Sequence, residues 1–149
     1  MTAPLRGKPL ASGAAERRMR LRRGRISEAF AAAVLIAKGY RILGRRVKTR
    51  AGEIDIIAVR GKRLAFVEVK RRLTREDAEA AISARQAARI RCASDLWLAR
   101  RPRYHGHVFA FDVILLVPGR LPRHIPDGMW AVIRLALTHR ARGGLPTRP

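Results

Sequence analysis

Two short runs constrain this chain more than anything else in it. Residues 53–59 (Glu-Ile-Asp-Ile-Ile-Ala-Val) and 64–70 (Leu-Ala-Phe-Val-Glu-Val-Lys) are rich in β-branched and aromatic residues, with only Arg60, Gly61, Lys62 and Arg63 between them. That pattern reads as a β-hairpin. Side chains alternate faces along a strand, so Glu53, Asp55, Ile57 and Val59 are expected on one face and Ile54, Ile56 and Ala58 on the other. Leu64, Phe66, Glu68 and Lys70 share a face of the second strand by the same rule. A two-residue loop at Gly61 and Lys62, with Gly61 at the positive φ of a II′ turn, sets Asp55 opposite Glu68, Ile57 opposite Phe66 and Glu53 opposite Lys70. A four-residue loop over 60–63 keeps these pairings, whereas an odd-length loop breaks them.

Directly paired Cβ atoms lie about 4.5–5.5 Å apart, close enough for two carboxylates to share one divalent cation. Without a metal, a proton or a basic neighbour such a pair repels. Mg²⁺ takes oxygen ligands at about 2.0–2.1 Å, often from only one or two protein carboxylates. Lys70, two residues past Glu68, brings a positive charge suited to polarising a water or stabilising charge that builds on a phosphate. The pattern has a plain structural reading as well. Half-exposed antiparallel strands alternate charged and apolar residues, and Glu53 with Lys70 is then a cross-strand ion pair. By pattern alone Glu28 and Gln86 are ordinary exposed helix residues, and His105 and His107 flank Gly106 in a solvated connection. Cys92 has no identifiable catalytic partner, and Trp97 and Trp130 read as core.

Composition bounds the rest. The 149 residues carry 33 Lys+Arg against 11 Asp+Glu, a formal net charge of +22, and 48% are hydrophobic. That length and apolar content suit one domain with one core. A single cysteine excludes an intrachain disulfide and cysteine-cluster metal sites, which fits a reducing compartment. The longest apolar stretches, 30–37 and 129–137, are far shorter than the roughly 20 residues of a membrane span. Pro4, Lys8, Glu16 and Arg17 interrupt any export signal, so a cytoplasmic location without membrane contact is expected. The charge favours polyanionic partners, because each cation that neutralises a phosphate releases a counterion. Nucleic acid is the leading partner class; a merely solvated, Arg-rich surface is the alternative.

Residues 1–23 mix Pro and Gly with Arg17, Arg18, Arg20, Arg22 and Arg23 without apolar periodicity and read as a mobile basic arm, and 140–149 as a flexible tail. The domain is expected over 24–139. Ala29, Phe30, Ala33, Val34 and Ala37 predict a first helix over 26–38 with that apolar stripe, stopped at Gly39. Glu28 lies off the stripe. Residues 40–43 begin an extended segment, and 48–52 form a polar connection. Thr74 is placed to cap a short helix through Ile82, and Ser83 to cap another that runs to Pro102. Residues 108–117, apolar apart from Asp112, suit a strand buried on both faces. His124 and Ile125 suggest a short strand, and 129–137 is ambiguous between strand and helix.

Gly52-Glu53-Ile54-Asp55-Ile56-Ile57 followed by Phe66-Val67-Glu68-Val69-Lys70 resembles the PD-(D/E)XK nuclease signature. More widely the chain resembles the YraN-like family of bacterial predicted endonucleases, distantly similar to archaeal Holliday junction resolvases. Gly24 and Glu28, Gly39-Tyr40 with Ile42-Leu43, Phe111-Asp112-Val113 and His124-Ile125-Pro126-Asp127 extend the match in order. Ile54 replaces the motif's customary proline.

The resemblance implies an α/β, restriction-endonuclease-like fold with a mixed central sheet flanked by helices. It implies Asp55 and Glu68 as ligands of Mg²⁺ or Mn²⁺, the Val69 carbonyl as a further ligand, Lys70 as the catalytic lysine, Glu28 as the helix-one acid and Gln86 at a position where Lys or Gln is usual. The activity expected is hydrolysis of phosphodiester bonds in DNA, ahead of RNA, with branched or junction DNA as the substrate suggested by the resolvases and a homodimer by the same analogy. Glu53 is a supplementary metal candidate. Arg25, Arg45, Arg46, Lys48, Arg50, Arg71 and Arg72 flank the motifs and are candidate phosphate contacts. The rival expectation is a non-catalytic basic nucleic-acid-binding protein on a nuclease-like fold.

Overall fold

The hairpin forms as expected and seeds the sheet. In a computed structural model, which describes residues 11–72 and 83–130, strands β2 (Gly52–Arg60) and β3 (Arg63–Arg71) pair antiparallel through a two-residue loop. Gly61 takes φ +57° while Lys62 stays out of the left-handed region, the II′ pattern. Ile57 faces Phe66. β1 (Arg41–Thr49) adds antiparallel to β2, with a register irregularity between Ile42 and Gly44. On the other side β4 (Val108–Leu116) runs parallel to β3, and the short β5 (Arg123–Ile125) closes the edge antiparallel to β4. The result is a mixed five-stranded sheet in the order β1-β2-β3-β4-β5.

A parallel β3–β4 pair demands a crossover, and helix α2 (Ala84–Ala99) lies on that path. Ser83 caps it as expected, its Oγ accepting the Gln86 N–H at 3.2 Å. Pro102–Tyr104 makes a 3₁₀ turn before β4. Ala87, Ile90, Ala93 and Trp97 of α2 bury against Ile57, Leu64, Phe66, Phe111 and Val113 on one face of the sheet. Helix α1 (Ala11–Ala37) covers the other face, where Ala31, Ala32 and Leu35 meet Ile56, Ala58, Ala65, Val67, Ala110 and Ile114. Alanines on both sides of that contact let the helix approach the sheet closely. This α/β arrangement, a mixed sheet flanked by helices, is the expected fold class. No described helix is long and apolar enough to cross a membrane.

α1 differs from expectation twice. It starts at Ala11, so residues 11–23 of the expected arm are helix; Ala14, Ala15 and a run of arginines are good helix formers, and an apolar stripe is not needed where the helix stands in water. Its buried stripe is also rotated. Phe30 is 55% exposed, and the face on the sheet is Glu28, Ala31, Ala32 and Leu35, an i, i+3, i+4, i+7 set that trades bulk for close packing. Glu28 therefore lies on the sheet-facing side rather than in solvent.

Asp112 is fully buried in β4 and is satisfied three ways. Its oxygens accept from Arg63 Nη2 at 2.7 Å, from His124 Nε2 at 2.8 Å and from the Asp127 N–H at 2.8 Å. Trp97 is core, Trp130 packs at its edge, and Cys92 is exposed. Of the 129–137 segment, Met129 and Trp130 are helical and the remainder lies outside the described residues, as do the expected Thr74 helix and the 140–149 tail.

Candidate metal centre and nucleic-acid interface

The β2–β3 ladder runs from Arg60–Arg63 to Ile56–Val67 and stops there. Beyond that point Asp55 does not face Glu68 as a ladder partner. Its Oδ2 instead accepts the Val69 N–H at 2.8 Å, a side chain taking the place of a strand carbonyl. The alternation of faces slips at the same point. Ile54 and Ile57, three residues apart, both join the α2-side core, while Ile56 and Ala58 join the α1-side core. The expectation that Asp55 shares a face with Ile57 and Val59 fails for this reason: Asp55 groups with Glu28 of α1 and with Glu53. Glu53 in turn is not Lys70's partner. It pairs with Lys48 in the β1–β2 ladder, and its carboxylate accepts Arg46 Nε–H at 3.1 Å.

One carboxylate oxygen from each of Glu28, Glu53 and Asp55 lies within 4.8 Å of the other two. Glu28 is 8% exposed, and its Oε2 is buried without a hydrogen-bond partner, the nearest cation being Arg46 Nε at 3.8 Å. Burial pushes the Asp55 carboxyl up to about 7, and repulsion from Glu68 and Glu28 adds to it, while the Val69 N–H and Lys70 pull the other way. Burial likewise raises Glu28 above the ordinary carboxylate range, against the pull of Arg46. An all-oxygen donor set with one orphaned buried oxygen, in which burial opposes the ionisation of Glu28 and Asp55, fits a hard divalent cation.

Glu68 borders the same opening and holds Lys70 beside it. Lys70 Nζ lies 3.0 Å from Glu68 Oε1 and donates to Gln86 Oε1 at 2.8 Å, while Gln86 Nε2 donates to Glu68 Oε1. Gln86 is thus drawn from α2 into a closed three-residue network, and both charged members are buried. Glu68 lines one cleft of about 550 Å³ together with Glu28, Asp55, Val69, Arg23, Arg71 and Arg72.

Of the expected phosphate contacts, Arg71 and Arg72 border this cleft. Arg25, Arg46 and Lys48 line a neighbouring groove of about 540 Å³ whose other walls are Arg18, Leu21 and Arg22 of α1. Lys48 and Arg50 reach a third hollow beside Trp97, Arg100 and Arg101. Arg45 is exposed on β1 and lines none of the three. Arg18 and Arg22 of this groove and Arg23 of the cleft are additions that sequence reasoning missed. The spacing of Arg18 and Arg22 with Arg25, i, i+4, i+7, is the signal that marks one helix face once the segment is known to be helical.

Residues 27–116 match the uncharacterised protein family UPF0102. The chain is 53% identical over 111 residues to a UPF0102 protein of Rhizobium etli, covering 74% of this chain and 91% of that one. It is 50% identical over 107 residues to a UPF0102 protein of Rhizobium meliloti, covering 72% and 88%. A UPF0102 protein of Rhodopseudomonas palustris is 48% identical over 118 residues, covering 79% and 90%.

Proposed function

The chain belongs to the UPF0102 family, and we propose that it is a Mg²⁺- or Mn²⁺-dependent nuclease that hydrolyses phosphodiester bonds in DNA. One observation carries this reading: three carboxylates from α1 and β2 converge at the point where β2 and β3 part, next to a lysine fixed by a glutamate and a glutamine. Glu28 Oε2, buried and without a hydrogen bond, is an oxygen that a bound cation would satisfy.

Glu28, Glu53 and Asp55 would hold the cation, with Glu68 and the Val69 carbonyl at the same cleft. A divalent ion there supplies Lewis-acid stabilisation of the phosphoryl oxygens. The chain's own groups do the remainder. Lys70 holds its ammonium on Glu68 and Gln86, preorganised to stabilise negative charge as it develops on the phosphate. Arg71 and Arg72 border the cleft where they can fix the phosphate backbone without reading bases.

The test is cleavage of linear, flapped and four-way-junction DNA, with an RNA control, in Mg²⁺ and in Mn²⁺, beside Asp55→Asn and Glu68→Gln. Metal-dependent cutting that falls by about 10²-fold or more in each variant supports the reading. Intact binding with no cutting under any condition would favour a non-catalytic nucleic-acid-binding protein.

A further inference from the structure

Arg46 belongs to both halves of this surface. Its Nε–H bonds Glu53 at 3.1 Å and stands 3.8 Å from the orphaned Glu28 Oε2, yet the residue also lines the groove of Arg18, Arg22, Arg25 and Lys48. Its backbone is unusual too. Arg46 has φ +51°, a left-handed conformation that a long side chain adopts at a cost and that Asn or Gly adopts readily. The position is therefore held by its surroundings, and the side chain delivered there is a cation.

We infer that Arg46 is an exchangeable internal counterion: it neutralises Glu28 and Glu53 when no divalent cation is bound, and is handed to a nucleic-acid phosphate in the adjoining groove when the cation enters. The inference rests on the metal-dependent reading given above and extends it to how metal and substrate binding are coupled. Three observations support the exchange. The ion pair uses a single Nε–H rather than a two-pronged guanidinium fork, and both side chains are about one-third exposed, so it is a weak pair. A divalent ion carries twice the charge and can reach the oxygen of Glu28 that Arg46 does not hydrogen-bond. The groove that receives the freed guanidinium is built from further cations, Arg18, Arg22 and Arg25 on one stripe of α1 and Lys48 on β1. A set of like charges of this kind is stabilised by a phosphodiester backbone.

The experiment follows the Arg46 Nε–H directly. Side-chain ¹⁵N–¹H spectra of the full chain, with Arg46 assigned by its loss in Arg46→Asn, are recorded metal-free, with saturating Mg²⁺, and with Mg²⁺ plus a short DNA duplex; carboxyl ¹³C shifts of Asp and Glu report metal binding in the same samples. Arg46→Asn suits the left-handed backbone and so keeps the fold. The expected result is an Arg46 Nε–H protected without metal, exposed with Mg²⁺ and protected again with the duplex. In addition, Arg46→Asn is expected to bind Mn²⁺ at least about fivefold more tightly than the parent in the absence of DNA, the low end of ordinary site-to-site coupling.

If the carboxyl shifts move with Mg²⁺ while the Arg46 signal stays unchanged, or Arg46→Asn binds Mn²⁺ no more tightly, the exchange is wrong and the nuclease reading stands. Carboxyl shifts that do not move would remove the metal site and the exchange together. Absence of cleavage alongside the full sequence of Arg46 changes would overturn the activity and leave the exchange standing.

Discussion

The Val69 N–H donates to Asp55 Oδ2 at 2.8 Å across the point where the β2–β3 ladder has already ended. Asp55 thereby closes the gap between two parting strands with its own side chain, and it does so beside Glu28 and Glu68, in a setting that opposes its ionisation. Burial is the main cause of its raised value of about 7. A carboxyl whose folded value lies above its ordinary 3.8 keeps its proton longer in the folded chain than in the unfolded one. Its contribution to stability is complete below that ordinary value and disappears as pH rises through about 7. Asp55→Asn keeps the acceptor for Val69 and removes the charge, so in metal-free buffer at pH 8 it should melt roughly 2–4 °C above the parent, the shift that about 1 kcal/mol gives at this chain length. At pH 4 the two proteins should melt together. Thermal scans across pH 4–8 decide it, and a variant that gains nothing at pH 8 would show Asp55 to be ionised at no cost.

The same proton stands in the way of the metal. A cation that needs the ionised Asp55 must displace it below neutrality, so Mn²⁺ affinity should climb by up to about tenfold per pH unit up to pH 7 and level off above it. Titration of Mn²⁺ at a series of pH values, followed by the spin resonance of the free ion, reads the slope. In Asp55→Asn the remaining slope should be shallower, since the proton on Asp55 is gone and the raised Glu28 carboxyl still contributes.

Gln86 joins Lys70 to Glu68 from a different element, and its replacement separates positioning from charge. Gln86→Ala should lower the cleavage rate by roughly 10- to 100-fold with little change in DNA affinity, because the ammonium of Lys70 stays on the molecule but loses one of its two anchors. Single-turnover rates beside duplex binding constants make the comparison. A variant that cuts at the parent rate would show that Glu68 alone orients Lys70.

How much of this was legible before the structure depends on the range of the interaction concerned. The II′ turn, the facing of Ile57 and Phe66, the Ser83 cap and the short edge strand at His124 all follow from local pattern, and they stand. The slip of faces between Ile54 and Ile57 is a different matter. It coincides with Asp55 accepting the Val69 N–H in place of a ladder carbonyl, an exchange that strand alternation has no means of expressing. Within the hairpin alone Glu53 has only Lys70 to face; the strand that supplies Arg46 and Lys48 carries too weak a pattern to be paired with it. Phe30 is a poor guide to the buried face of α1, since bulk marks such a face only where bulk is what packs, and the face of α1 on the sheet is lined with alanine.

Asp112 offers a test of stability away from the cleft. Burial alone would raise its carboxyl, but the hydrogen bonds from His124 and from the Asp127 N–H, with the charge of Arg63, more than offset that and hold it below the ordinary range. Its stabilising contribution is therefore present above the unfolded value of 3.8 and is lost as pH falls through the lower folded one. Asp112→Ala breaks the buried ion pair with Arg63, which keeps only Asp127, and takes the acceptor from His124 Nε2, so a loss of about 3–5 kcal/mol is expected, as for breaking a buried pair. Asp112→Asn keeps an acceptor and should lose less. Urea unfolding at pH 7 ranks the three proteins. A loss below about 1 kcal/mol in Asp112→Ala would mean that Asp127, the other anion on Arg63, holds that end of the sheet together without it.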